Sequence, residues 1–431
     1  MKYLRWLLVL LLLGCQTLDP HNIIGRRISP DKEQAGTLTQ AQRHLAFEQL
    51  ADTIDRYYLD PTHHGVDWRG HVQNSRRGVM DAVNEDEFWL AMDRMLGVLA
   101  DAHTRVASPK QVARLQAQEI DPLGISLMRL ADRFYLRSVH PNSDFAWVGA
   151  RPGQQVLAIN NEDIGAVFAR RLSATKASST AWTRERVALR EMLLFEEQVA
   201  LRVQHHDGSH MVVHGKGMKL NQHHSAMHRV LPGNVGYLRW SGFSLSLEAA
   251  VLKGIDELKE TKGLIIDLRN NGGGALAMVK NVAEQFFVAP THLAKIETRS
   301  GRPVRLLGLT AIEPTLEVRG RGNAYQAPII ILMNEASASA SEAFAGGLQA
   351  VGRARVMGQT SCGCLLGYLG TLKLSGGGEL AYSEIGFKLA NGDKVEGRGI
   401  VPDLPRPLLV QDLQVQRDRV LEEALSILAG H

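Results

Sequence analysis

Residues 328–342 read Pro328-Ile329-Ile330-Ile331-Leu332-Met333-Asn334-Glu335-Ala336-Ser337-Ala338-Ser339-Ala340-Ser341-Glu342. The apolar run has no polar alternation, as expected of a strand buried on both faces. The small residues after it permit a tight turn, and a helix is expected from about Ser341 to Leu348. A serine at such a place lies near a helix N-terminus, whose free N–H groups and positive potential suit a developing oxyanion. Serines also cap helices there, which is their commonest use.

The same alternation continues upstream. Val235 to Trp240 is strand-like and Leu247 to Leu258 helix-like; Gly263 to Leu268 is a second buried strand, and Ala275 to Phe286 a second helix. Strand–helix repeats of this kind predict an α/β layer with parallel pairing over residues 217–431. Between them lies Asp267-Leu268-Arg269-Asn270-Asn271-Gly272-Gly273-Gly274. Glycines directly after a buried strand let backbone approach a ligand, and their N–H groups can supply half of an oxyanion hole. A nucleotide loop is excluded by the absence of Gly-x-x-x-x-Gly-Lys-Ser/Thr.

The chain has 431 residues, 45% apolar and 22% charged, with a net charge of +4. Such a balance excludes disordered, collagen-like and multi-span membrane chains and gives no support for nucleic-acid binding. Three cysteines are too few for a disulfide scaffold. Residues 1–15 read MKYLRWLLVLLLLGC. Lys2 and Arg5 precede an apolar run from Leu7 to Leu13 that is too short to span the bilayer. It is an export signal by pattern. Leu12-Leu13-Gly14-Cys15 resembles a bacterial lipobox, which implies cleavage before Cys15 and lipid on its thiol. With Gln16 next, outer-membrane attachment facing the periplasm is the expectation in a cell with two membranes. The predicted layout is a signal over 1–14, a tether over 15–37, and a helical region over 38–118 in which Asn84 and Glu87 resemble a capping box. A β-rich unit follows over 120–216. Its order of strands, with Leu123-Gly124-Ile125-Ser126 first and Leu157-Ala158-Ile159-Asn160 after a Pro-Gly turn, resembles a PDZ domain, which implies capture of an extended peptide along an open sheet edge.

Four motifs in order, D-L-R-N-N-G-G-G, N-E-A-S-A-S-A-S-E, V-G-R-A-R-V-M-G-Q-T and V-E-G-R-G-I-V-P-D, resemble the C-terminal-processing and tricorn-core family of serine peptidases. With the PDZ-like unit the resemblance covers roughly residues 40–408. It implies a multi-domain α/β chain with a crotonase-like core, no metal and no cofactor. By motif position the nucleophile is Ser339, with Ser337 and Ser341 in support. The oxyanion donors are the N–H groups of Gly273 and Ala340.

In the Ser–Lys branch of that family a lysine is the general base. Here Thr360-Ser361-Cys362-Gly363-Cys364 puts Cys364 at the lysine position, 25 residues after Ser339. The tricorn-like branch uses histidine, and Leu99-Ala100-Asp101-Ala102-His103-Thr104 resembles its L-x-D-x-H-T motif. His103 is therefore the expected base, with a suitable unperturbed pKa of about 6.5. The branch also implies that Glu396 orients the imidazole through a serine preceding it, but that residue is Ala102. Glu396 would act directly or through water, or another group would serve, with Asp101 and Thr104 as candidates. The lost lysine and Ala102 leave an alternative, an inactive relative that only binds peptides. Cys364 is a third candidate nucleophile, disfavoured by the absence of a nearby histidine in sequence. Cys362 and Cys364 can pair in an oxidising compartment, although only one residue separates them. They are too few for a metal site. The pairs His63-His64, His205-His206 and His223-His224 are expected to be solvated loop residues. The implied partners are a peptide or protein substrate and a membrane through the lipid anchor; oligomeric state is not legible.

Overall fold

The five apolar residues Ile329–Met333 form a strand buried along its whole length. It sits at the centre of a computed structural model that describes residues 38–430 except 117–118, 121–122, 195–197, 218–219, 222–224 and 307–308. The signal, the tether, Cys15 and His223-His224 lie outside the described residues. Three helices come first: α1 (Gln40–Tyr57), α2 (Trp68–Met80) and α3 (Glu85–Met95), followed by a short strand β1 (Arg105–Ala107). Asn84 caps α3 as predicted, accepting from the Glu87 N–H at 2.9 Å. The Glu87 carboxylate reaches back to Val83 rather than to the cap residue. Phe88, Met92, Met95, Leu96 and Leu99 are buried, the face their spacing predicts.

The middle unit contains β2 (Ile125–Leu130), β3 (Arg133–Val139), β4 (Gln155–Ile159), α4 (Ile164–Ala174), α5 (Ala181–Glu191), β5 (Val199–Gln204) and β6 (His210–Gly215). Its strands lie in the order β2-β3-β4-β5-β6 with antiparallel neighbours, so β2 is an edge. Leu136, Phe145, Val156 and Val203 give this unit a core of its own.

The remaining chain builds β7 (Ala226–Leu231), β8 (Val235–Trp240), α6 (Leu245–Glu257), β9 (Gly263–Asp267), α7 (Leu276–Ala283), β10 (Thr291–Thr298), β11 (Thr315–Val318), β12 (Ile329–Met333), α8 (Ala340–Ala350) and β13 (Arg355–Gly358). Short strands follow at β14 (Leu366–Gly367), β15 (Leu372–Lys373), β16 (Glu379–Ala381), β17 (Ile385–Leu389) and β18 (Leu404–Pro405), and α9 (Arg419–Ala429) closes the described chain. The central sheet runs β7-β8-β9-β12-β13-β18, parallel except for the β7–β8 hairpin. Alternate residues of each strand serve opposite faces. Leu264, Ile266 and Ile331 meet α6, α7 and α8, while Ile265, Ile330 and Leu332 meet α9. The α/β prediction therefore holds, with every predicted helix and strand of this layer present. The antiparallel sheet β11-β10-β17-β14, against which α8 also packs, was not anticipated.

Asp267 lies opposite Leu332, and Met333 opposite Gly358. This register ends β9, β12 and β13 level, so their following loops gather at one edge, where open α/β sheets place ligands. The helical region meets the core directly. β1 pairs antiparallel with β16, and Leu380 and Tyr382 share the apolar cluster of α1 and α3.

Candidate active site

Ser339 caps α8 with φ 55° and ψ −118°, a backbone region that a residue with a Cβ rarely occupies. Such strain persists only where the surroundings over-determine it. Here the neighbours of Ser339 are pegged. Ser337 Oγ donates to the Leu268 carbonyl at 2.9 Å and Ser341 Oγ to the Asn271 carbonyl at 2.8 Å. These two serines tie the α8 turn to the glycine turn after β9. Ser339 is left half-buried, at the start of a helix and beside those glycines.

Gly273 has φ +94°, and a Cβ there would lie 2.7 Å from the Ala340 nitrogen and 2.7 Å from Ser339 Cβ. Only glycine permits that approach. The Ala340 N–H belongs to the first turn of α8, where helices leave such groups without an intrahelical acceptor. The Gly273 N–H is engaged within its own turn, donating to Asn271 Oδ1 at 3.0 Å. Asn271 is fully buried and also donates from Nδ2 to the Trp240 carbonyl, so it fixes the glycine turn in place.

The Ser339 N–H donates to Glu342 Oε2 at 2.9 Å and to the Cys364 carbonyl at 3.2 Å. Glu342 is wholly buried. Its carboxylate also accepts from the Gly363 and Cys364 N–H groups and from Ser361 Oγ. Burial pushes this carboxyl up to about 7, against the pull of its donors. Cys362 and Cys364 form a disulfide within the same loop. Both sulfurs are thereby spoken for, so Cys364 offers no thiolate and no lysine-like base. Thr180 and Thr183, just before and at the start of α5, hold the Cys362 carbonyl at 3.0 and 3.1 Å.

His103 follows a loop held from three sides. Asp101 accepts from the His103 N–H at 2.7 Å and from the Thr104 hydroxyl. Lys176 Nζ of the middle unit donates to the Thr104 carbonyl at 2.8 Å. The Ala102 N–H donates to Ser179 Oγ at 3.0 Å. Ser179 and the Leu365 N–H also lie close to Glu396, where each favours the ionised carboxylate. Leu365 follows Cys364, whose carbonyl holds the Ser339 N–H. A short chain of contacts thus links the His103 loop to the Ser339 turn. The imidazole lies 6.4 Å from the Tyr368 ring, centroid to centroid. Burial holds its pKa below the ordinary value; Asp101 opposes this and Arg105 adds to it. Burial and then Asp101 push Glu396 up to about 8. Among the described residues neither His103 Nδ1 nor Glu396 Oε2 has a hydrogen-bond partner. The direct Glu396–His103 hydrogen bond is therefore not formed.

The histidine pairs need one correction. His63 is buried, bonded to the Ile54 carbonyl and stacked on Trp68. It is a core residue, because its ring fills a gap between aromatic neighbours. His205 is also engaged, with Gln154 and Met211. No cluster of metal-ligating side chains occurs among the described residues. Sequence reasoning missed Asn271, Glu342 and Ser179. The first two lie inside quoted motifs, and a polar residue followed by small ones was the available signal.

The model of peptidase family S41 matches residues 234–406. The chain is 25% identical over 393 residues to the carboxyl-terminal-processing protease of Synechocystis sp., covering 88% of this chain and 84% of that one. Among solved structures, mature CPAF superposes with a TM-score of 0.67 at 15% identity, covering 90% of this chain and 97% of the other. The photosystem II D1 C-terminal processing protease gives 0.57 at 21% identity, covering 85% and 93%. Family match and sequence relatives agree on a serine peptidase of the carboxyl-terminal-processing type, and no described helix is long and apolar enough to cross a membrane.

Proposed function

We propose that this chain, whose residues 234–406 match peptidase family S41, cleaves peptide bonds in protein tails with Ser339 as nucleophile and His103 as general base. The observation that supports it most is the strained Ser339 turn, with the Ala340 N–H and the glycine turn packed directly beside it. Ser339 Oγ attacks the scissile carbonyl while His103 takes its proton. The burial-lowered pKa keeps His103 neutral, and able to accept that proton, at neutral pH. The oxyanion is met by the Ala340 N–H and by Gly273, once its N–H turns from Asn271 toward the substrate. Such a donor is worth about 3 kcal/mol of barrier. The imidazolium returns its proton to the leaving amine, and water repeats the sequence on the acyl-enzyme.

At neutral pH Glu396 is held protonated, so the countercharge for the imidazolium falls to Asp101 rather than to Glu396. Glu396 instead positions the His103 loop through Ser179. The middle unit captures the substrate tail in the PDZ manner, along the β2 edge. Lipidation at Cys15 would place the enzyme in the periplasm on the outer membrane.

A fluorophosphonate probe tests the reading. It should label the wild-type chain and neither Ser339→Ala nor His103→Ala. Absence of labelling in the wild type would leave a peptide-binding relative instead. Cys15→Ser should move the protein from the membrane fraction to the soluble one.

A further inference from the structure

A cavity of about 560 Å³ lies between β2 and α5 of the middle unit and the loops after β9, β12 and β13. Its walls are unlike an ordinary apolar groove. Leu127, Leu189 and Leu193 line part of it, among other apolar and polar residues, and six arginines border it as well: Arg137, Arg186, Arg190, Arg239, Arg269 and Arg406. Asp418 is the only carboxylate in the lining, and it is bound by Arg269. Arg137 is answered by Glu335 and Arg406 by Glu423. Arg239 is 3.9 Å from Asp267, which Arg269 already holds. Arg186 is different. Its guanidinium donates to the Glu335 carbonyl at 3.2 Å and approaches Cys362 Sγ at 3.9 Å, with no carboxylate in ion-pair reach among the described residues. A half-buried cation answered by a carbonyl and a sulfur is under-compensated. Arg186 and Arg190 stand one turn apart on α5, with Leu189 between them. Ile125, Ser126 and Leu127 in succession border the cavity, so it is the edge of β2 that faces it.

We propose that this cavity selects substrates with acidic tails: an extended peptide adds along β2, sets an apolar side chain against Leu127, Leu189 and Leu193, and turns its carboxylates toward Arg186. The inference deepens the tail-capture reading and rests on it. Charge complementarity chooses the occupant: any tail brings its one terminal carboxylate, and acidic side chains add the further negative charge that an arginine-lined cavity draws in.

Binding of fluorescein-labelled eight-residue peptides to full-length Ser339→Ala tests this by anisotropy. Two peptides share an apolar final residue and carry either three Glu or three Gln before it. The Glu peptide should bind about tenfold tighter or better in low salt, and the gap should shrink as salt screens it. Arg186→Gln should erase most of the gap and spare the Gln peptide. Equal binding of both peptides to the parent protein would overturn the acidic preference while leaving tail capture standing. An unchanged gap in that variant would overturn this cavity as its origin. Failure of both peptides to bind would remove tail capture itself. The comparison of peptides on the parent protein needs no arginine variant to fold.

Discussion

Ser339, the proposed nucleophile, has a backbone geometry suited to that role. Its positive φ directs the side chain out of the turn, and the conformation disfavours any residue with a Cβ. Replacing the serine by alanine should lower kcat by about 10⁴-fold or more, as loss of a triad nucleophile does. Ser339→Gly should be as inactive yet more stable than Ser339→Ala by about 1 kcal/mol, read as a shift in urea midpoint, because glycine relieves the strain. A less stable glycine variant would mean the turn is unstrained. His103 gives a second test. Its pKa is depressed by burial, so kcat/KM should rise with pH through a midpoint below 6.5 and level off by neutrality. The expected curve has the deprotonated ring as the active form; a rise centred well above pH 7 would point to another base. Ser339 and His103 were open to proposal from the sequence because each lies in a short motif. Ser179 was not, because its contacts with Ala102 and Glu396 are created only when the middle unit folds against the helical region.

At the scale of elements, the site is a knot of three turns: the glycine turn after β9, the serine turn before α8, and the disulfide loop after β13. Glu342 is the tie. It receives four hydrogen bonds from Ser339, Ser361, Gly363 and Cys364 with no solvent access. Glu342→Ala should strand those buried donors and destabilise the fold by about 3–5 kcal/mol, measurable as a lowered denaturation midpoint. A change under 1 kcal/mol would mean the donors find water. The disulfide should matter less. Glu342 grips the loop through the backbone of Gly363 and Cys364, and these bonds do not need the sulfurs. Cys362→Ala with Cys364→Ala should keep kcat within about tenfold, a barrier change of roughly 1.4 kcal/mol. A complete loss would revive a direct role for sulfur. The strands and helices of this layer were readable because buried runs and helical spacing are local signals. The β11-β10-β17-β14 sheet was not, since its central pairing, β10 with β17, joins residues nearly a hundred positions apart, as Ala294 with Leu389.

Across the whole molecule, the proposed nucleophile and the proposed base come from either side of the middle unit in the chain, and the helical region alone does not position the base. The loop carrying His103 belongs to the helical region, yet the middle unit holds it. Lys176 bridges Asp93 and the Thr104 carbonyl at 2.7 and 2.8 Å, and Ser179 takes the Ala102 N–H. The same segment runs into α5, whose Thr180 and Thr183 grip the disulfide loop beside Ser339. The middle unit is therefore a clamp on both halves of the candidate site, beside its proposed part in holding a tail. Ser179→Ala removes one clamp bond without touching either core. It should lower kcat by about tenfold, as expected for one lost hydrogen bond of 1–2 kcal/mol, and leave KM and the denaturation midpoint nearly unchanged. Ser179→Thr, which keeps the hydroxyl, should recover part of the rate. If Ser179→Ala lowered stability and rate together, Ser179 would be ordinary packing; a fall in kcat alone, restored by the hydroxyl, identifies a residue that positions His103 through its backbone.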